Sequence, residues 1–203
     1  MNEQNISSKI NHKAAESRCN KFKTIKCLVL GLLATMALQT NVDACTTNDS
    51  FDVTKVSDVD CWELYESAPA WCSPETCRLI IDLSNFYGIS SEFALSVFRY
   101  EYVPERNSVG GVKGADGYIT YDCLERSIIE WFQLMAETYC NEDSWVYNYT
   151  QGTTIHDIAP MYNQGVPEFN DSSARWCETI EQEVQSLLDR QNEQDNTEYF
   201  CAG

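Results

Sequence analysis

One carboxylate stands where the apolar and polar patterns of this chain meet. In Phe93–Gly111, FALSVFRYEYVPERNSVGG, an apolar run ends at Glu101. A turn with Pro104 and Glu105 follows, and Asn107 leads into Gly110 and Gly111. Ala94, Phe98 and Glu101 are spaced four and three apart, so on a helix the carboxylate continues an apolar stripe. A carboxyl among apolar and aromatic groups resists ionisation, and its pKa rises. That is what a general acid needs in order to protonate a leaving oxygen at ordinary pH. The same position also fits a helix-end glutamate paired with Arg99 or Arg106, and spacing alone favours that plainer use. Glu105, just past Pro104 and beside Arg106, reads as an exposed loop charge.

Helix signals surround this stretch. Ser73-Pro74-Glu75 supplies an N-cap, a first-turn proline and a charge that complements the dipole. Leu79, Ile80, Leu83 and Phe86 form an expected buried stripe, and Gly88 is a natural stop. Ser90 caps a second helix with Glu92 in its first turn, running to about Glu101, and Pro104 keeps it from going far. Residues 105–121 hold four of the nine glycines and read as a loop, then a short strand or hairpin at Tyr118–Tyr121.

Asp122, with Glu125 three residues on, predicts a capping box. The helix behind it, to about Tyr139, is the most apolar, with Leu124, Ile128, Ile129, Trp131, Phe132, Leu134 and Met135. After a polar loop over 141–152, Thr153 or Thr154 caps a short helix that Pro160 ends. A last helix starts near Asp171-Ser172-Ser173 and carries Trp176, Ile180, Val184, Leu187 and Leu188 on one face. From Gln191 the chain reads as a fraying tail. Residues 45–71 are acidic, show no convincing period and read as an irregular extension. The sum is an α+β domain, mostly helical with a small β element.

The 203 residues allow one domain with a real core. Lys21, Lys23 and Lys26 precede the uncharged run Cys27–Leu38, and Val42-Asp43-Ala44 follows, the layout of a secretion signal cleaved after Ala44. The run is short for a membrane span, which needs about 20 apolar residues. A membrane anchor with a long basic head is the alternative. The expected divisions are a signal at 1–44, an acidic extension at 45–71, the folded domain at 72–190 and a tail at 191–203. Secretion makes disulfides the default for Cys45, Cys61, Cys72, Cys77, Cys123, Cys140, Cys177 and Cys201, in four pairs whose connectivity stays open. A zinc site is not expected, since His156 is the only histidine after residue 44 and Cys72/Cys77 has no matching second pair. Residues 45–203 keep eight of the 14 Lys/Arg and 28 of the 31 Asp/Glu, a net of −20. Such a surface excludes nucleic acid and anionic membranes as general partners. Asn48, Asn148 and Asn170 open glycosylation triplets of low specificity.

From Ser73 to Leu188 the order of motifs resembles the lysozyme-like superfamily, in particular its secreted and cell-wall endo-β-N-acetylglucosaminidases and related muramidases. Phe86-Tyr87-Gly88-Ile89-Ser90 with Phe93-Ala94-Leu95 is similar to the turn into that family's catalytic helix. Asn107–Lys113 resembles its Asn-Asn-Pro-Gly-Gly-Ile loop, with Ser108-Val109 in place of Asn-Pro. Gly117–Asp122 looks like its strand and cap, and Thr153–Tyr162 looks like its Thr-Ile-x-x-Ile-Ala-Pro-x-Tyr segment. Trp176 matches the start of the closing helix. The turn Tyr102–Arg106 departs from the family pattern.

The resemblance implies a glycoside hydrolase cleaving β-1,4 bonds next to N-acetylated amino sugars, in peptidoglycan or chitin-like chains, with Glu101 as the general acid. It implies substrate contacts from Asn107, Gly110, Gly111, Asp116, Tyr118, Tyr121 and Tyr162, with Asp116 and Asp122 the candidates for a second carboxylate. The expected partner is a polysaccharide, with no cofactor or metal, and the protein is expected to be extracellular and monomeric. The alternative is a secreted protein of the same fold that binds saccharide or a protein without catalysis, for which the altered turn and the strong negative charge speak.

Overall fold

The computed structural model describes residues 50–114 and 116–201, with side chains described as far as Glu193. The expected secretion signal, Cys45 and Asn48 lie outside the described residues. The architecture is mostly helical with one two-stranded sheet, an α+β arrangement.

The stretch from residue 50 to 71 is more ordered than its sequence suggests. Asp60 caps a helix, α1 (Cys61–Glu66), through a full capping box with Glu63. The strap before it ties two later helix starts together. Ile155 N donates to Phe51 O at 2.9 Å, Val53 N to Thr153 O at 2.9 Å, and Ser90 N to Val53 O at 2.7 Å. These partners lie far away in sequence, and a local pattern search does not see them.

α2 (Pro74–Tyr87) starts and stops as its sequence dictates, with the Ser73 side chain accepting from Thr76 N and Gly88 in the left-handed conformation at its end. Its buried face runs through Thr76, Cys77, Ile80 and Ser84, while Phe86 is 78 % exposed. Of the expected stripe, Ile80 is fully buried and Leu79 and Leu83 pack partly buried against the core, so only Phe86 falls outside it.

α3 (Ser91–Glu101) is capped by Ser90 and is buried from Ser91 through Phe98. Its first turn holds Glu92, which is fully buried and forms no salt bridge among the described residues. Ser57, Ser90 (2.8 Å) and Ser91 (3.2 Å) donate hydroxyls to it. The helix N-terminus adds favourable dipole charge.

A turn of 3₁₀ helix (Pro104–Arg106) leads to the hairpin β1 (Lys113–Gly114) and β2 (Gly117–Tyr118), with Lys113 opposite Tyr118. The sheet is shorter than expected and leaves Ile119–Tyr121 outside it. α4 (Leu124–Leu134) has Cys123, not Asp122, at its N-cap, with no side-chain cap bond. Asp122 is exposed and only approaches Arg126, at 3.9 Å. A π-helical turn (Met135–Tyr139) extends α4. Ile128, Trp131, Phe132 and Met135 are fully buried, whereas Ile129 is exposed. Trp131 sits among Phe93, Phe98 and Phe132, with ring centroids 4.7–5.8 Å apart. These aromatic contacts make α3 and α4 the two halves of one core.

The loop expected over 141–152 contains a single turn of helix, α5 (Tyr147–Thr150). α6 (Ile155–Gln164) begins with a Thr154–Asp157 capping box, runs through Pro160 and ends at left-handed Gly165. The expected stop at Pro160 fails because Ile155, Ile158, Ala159 and Met161 are all buried, and their packing outweighs one missing backbone bond. α7 (Asp171–Cys201) packs on α3 and α6 through Trp176, Ile180, Val184 and Leu187. It stays helical past Gln191, where the sequence suggested fraying.

The four-disulfide framework is not formed among the described residues. Cys177 is disulfide-bonded, while Cys61, Cys72, Cys77, Cys123 and Cys140 carry free thiols. Cys72 and Cys77 nevertheless lie with sulfurs 3.1 Å apart around the start of α2. The hydrogen bond shared by the two sulfurs lowers the pKa of the Cys77 thiol and, with burial, raises that of Cys72. Oxidation of the protein with glutathione disulfide should therefore cross-link Cys72 to Cys77 before any other described pair. Peptide mapping checks this, and a first bond from either residue to Cys61, Cys123 or Cys140 would contradict it.

Candidate functional site

Glu101 is the last residue of α3 and is half-buried on the wall of an open groove of about 1000 Å³. The groove floor comes from the loop after α3, and its far wall from α6 and α7. Burial raises the pKa of the carboxyl, against the lowering effects of Trp176, Tyr162 and Lys113. Its place at a helix C-terminus acts in the same direction as burial, because the dipole there disfavours a negative charge.

The two carboxyl oxygens have different surroundings. Trp176 Nε1 donates to Oε1 at 2.7 Å. An indole N–H can only donate, so Oε1 accepts, and Oε2 is the oxygen left open to carry a proton. Oε2 faces the glycine loop: a Cβ on Gly111 would stand 2.8 Å from it. The Tyr162 hydroxyl is 3.5 Å from Oε2. That hydroxyl accepts from Trp131 Nε1 at 2.8 Å and donates to Gly110 O at 2.6 Å. Burial and the neighbouring Glu101 raise the Tyr162 pKa far enough to keep the proton on its oxygen. Tyr139, beside it at 5.5 Å between ring centroids, is pushed up to about 12 by burial and by Glu101.

Gly110 and Gly111 are required here for two reasons. Both have positive φ, 64° and 57°. A Cβ on Gly110 would also lie 2.1 Å from the Trp131 ring. Backbone thus lies against both the core tryptophan and the acid, where no side chain fits.

The structure brings Glu101, Gly110, Gly111, Tyr118 and Tyr162 to one groove. It leaves three expected contacts outside. Asn107 is left-handed, φ 45°, and its side-chain amide donates to Tyr121 O at 3.1 Å, so it fixes the loop. Tyr121 is buried, and burial with Glu130 nearby pushes its hydroxyl up to about 12. Asp116 is exposed in the hairpin turn, away from the groove lining. Tyr118 at the end of β2 is exposed, whereas Tyr121, past the strand, is buried, a difference that the sequence left open. Among the described residues Glu178 is the one other carboxylate that lines the groove. Glu105 is exposed, and Arg99 pairs with Glu183 at 2.7 Å rather than with Glu101.

Sequence reasoning missed Trp176 as the donor to Glu101, and also the groove cations Arg106, Lys113 and Arg175. Trp176 read as an ordinary core position on an apolar stripe. Only its indole nitrogen could have hinted at a polar duty, since buried tryptophans usually seek a partner for it.

No family model, no curated protein and no solved structure matches this chain.

Two measurements follow from the geometry. Carboxyl-carbon NMR should give Glu101 a midpoint above the ordinary carboxylate range, and Trp176→Phe should move it further up, because the indole favours the ionised form. A midpoint that stays or falls in Trp176→Phe would remove the assigned role of the indole. The sign for stability is fixed as well. A raised folded-state pKa contributes stability below the ordinary carboxylate range, and that contribution is lost as pH rises through the raised midpoint. Gly111→Ala should cost about 1–3 kcal/mol in a urea unfolding titration, from positive φ and the close carboxyl. A neutral result would mean that the loop moves freely.

Proposed function

We propose that this protein is a secreted glycoside hydrolase of the lysozyme-like superfamily. In this reading it cleaves β-1,4 bonds next to N-acetylated amino sugars in peptidoglycan or chitin-like chains. The observation that carries the reading is the Glu101 carboxyl itself: half-buried, raised in pKa, held by a single obligate donor and facing an open groove. A structural glutamate at a helix end would more simply face water or a cation.

In this reading Oε2 delivers its proton to the glycosidic oxygen as the bond to the sugar breaks. Trp176 holds Oε1 and limits rotation of the carboxyl. As negative charge develops on Glu101, the Trp176 N–H strengthens as a charge-assisted bond. The open backbone at Gly110–Gly111 admits a sugar ring close to the acid. Tyr118, 54 % exposed at the rim, offers an aromatic face for the apolar side of a saccharide. The order of elements adds support: a helix ending in the acid, a glycine loop, a small antiparallel hairpin, a buried helix and two closing helices.

The test is turnover of purified peptidoglycan and of chitooligosaccharides by wild type and by Glu101→Gln. Loss of at least about 100-fold in Glu101→Gln is expected for a general acid. Equal activity of the two proteins would end this assignment, and so would a wild type that cleaves neither substrate.

A further inference from the structure

The groove that holds Glu101 carries the wrong charge for its protein. Residues 45–203 have eight Lys/Arg against 28 Asp/Glu. Three of those eight, Arg106, Lys113 and Arg175, line this one groove. Outside the groove, Arg99 meets Glu183 and Arg126 meets Glu130 and approaches Asp122, while Lys55, Arg78 and Arg190 form no salt bridge among the described residues. The groove cations have no carboxylate within salt-bridge distance among the described residues. Against these three cations, Glu101 and Glu178 are the carboxylates among the residues that line the groove.

Two of the cations share one aromatic ring. The Arg106 guanidinium is 5.1 Å from the centre of the Tyr118 ring, and the Lys113 ammonium is 5.0 Å from it. Lys113 reaches the ring from the facing strand and Arg106 from the 3₁₀ turn. Each gains from the ring's negative face. Lys113 also acts electrostatically on Glu101, yet neither cation forms a salt bridge among the described residues, although the chain has acidic residues to spare. An anion beside the ring, within reach of both, would accept charge-assisted hydrogen bonds from each.

We propose that Arg106, Lys113 and the Tyr118 ring form an anion subsite next to Glu101, and that the saccharide bound in this groove carries carboxylates. Arg175, from α7, is the third cation that lines the groove. The inference rests on the glycosidase reading and narrows it, favouring acidic chains over neutral chitin-like ones. It also resolves the apparent conflict between a strongly acidic protein and an acidic polymer. The surrounding surface repels the polymer everywhere except along this groove, which concentrates attraction at the acid.

The experiment uses the full chain as Glu101→Gln, so that ligands are not consumed, and calorimetric titration with three tetrasaccharides. One alternates N-acetylglucosamine with N-acetylmuramic acid, one alternates N-acetylglucosamine with glucuronic acid, and the third is neutral chitotetraose. At least one acidic tetrasaccharide should bind about tenfold or more tighter than chitotetraose, as expected for new charge-assisted bonds. Which of the two it is identifies the source of the carboxylate. Adding Arg106→Gln or Lys113→Gln should bring the ratio of acidic to neutral affinity toward one. Chitotetraose binding as tightly as both acidic chains would overturn the subsite, as would a ratio that neither substitution changes. The two readings fail separately. Cleavage by wild type without acidic preference leaves the hydrolase and removes the subsite. Cation-dependent binding of an acidic chain without any cleavage does the reverse.

Discussion

The Tyr162 hydroxyl is the junction on which the site depends. It takes a hydrogen bond from Trp131, gives one to Gly110 O and stands 3.5 Å from Glu101. Trp131 belongs to the core of α4, Gly110 to the loop, Glu101 to α3, and Tyr162 to α6. One oxygen thus fixes the relative positions of four segments. Every polar group at the junction is spoken for, which a low-dielectric interior demands. The consequence is a loop held close enough to the acid that only glycine fits at residues 110 and 111.

A second constraint is the treatment of carboxylates. Glu92 and Glu101 stand at opposite ends of the same helix. At the N-terminus, Glu92 is wholly buried, and three serine hydroxyls and the helix dipole surround it. At the C-terminus, Glu101 meets one indole N–H, a distant hydroxyl and an unfavourable dipole. Their environments separate them into a structural group and a candidate acid. Among the cations, Arg99 and Arg126 pair with acids on the helix surfaces, while Arg106, Lys113 and Arg175 line the groove without a salt bridge among the described residues.

The residues missed or misjudged from sequence share a physical cause. Phe86 looked like core because it is large and apolar, but it falls outside the buried face of α2, which runs through Thr76, Cys77, Ile80 and Ser84. Pro160 looked like a stop because its local cost is real, yet the buried face of α6 outweighs it. Asp122 looked like a cap by spacing, whereas the chain turns into α4 one residue later. Each local rule was sound and was overruled by contacts with segments far away in sequence.

By itself the sequence determined the mostly helical composition, the starts of α2, α3 and α6, the glycine loop and the position of Glu101 at the end of an apolar stripe. These depend on caps, periodicity and backbone sterics, all of which act within a few residues. The tertiary structure alone decided which side of the hairpin Tyr118 faces, that Trp176 is the donor to Glu101, and that Arg106, Lys113 and Arg175 share one groove. Trp176 lies 75 residues from Glu101. No short-range pattern encodes such a pairing, because it exists only once α7 has packed against α3 and water has been driven from between them.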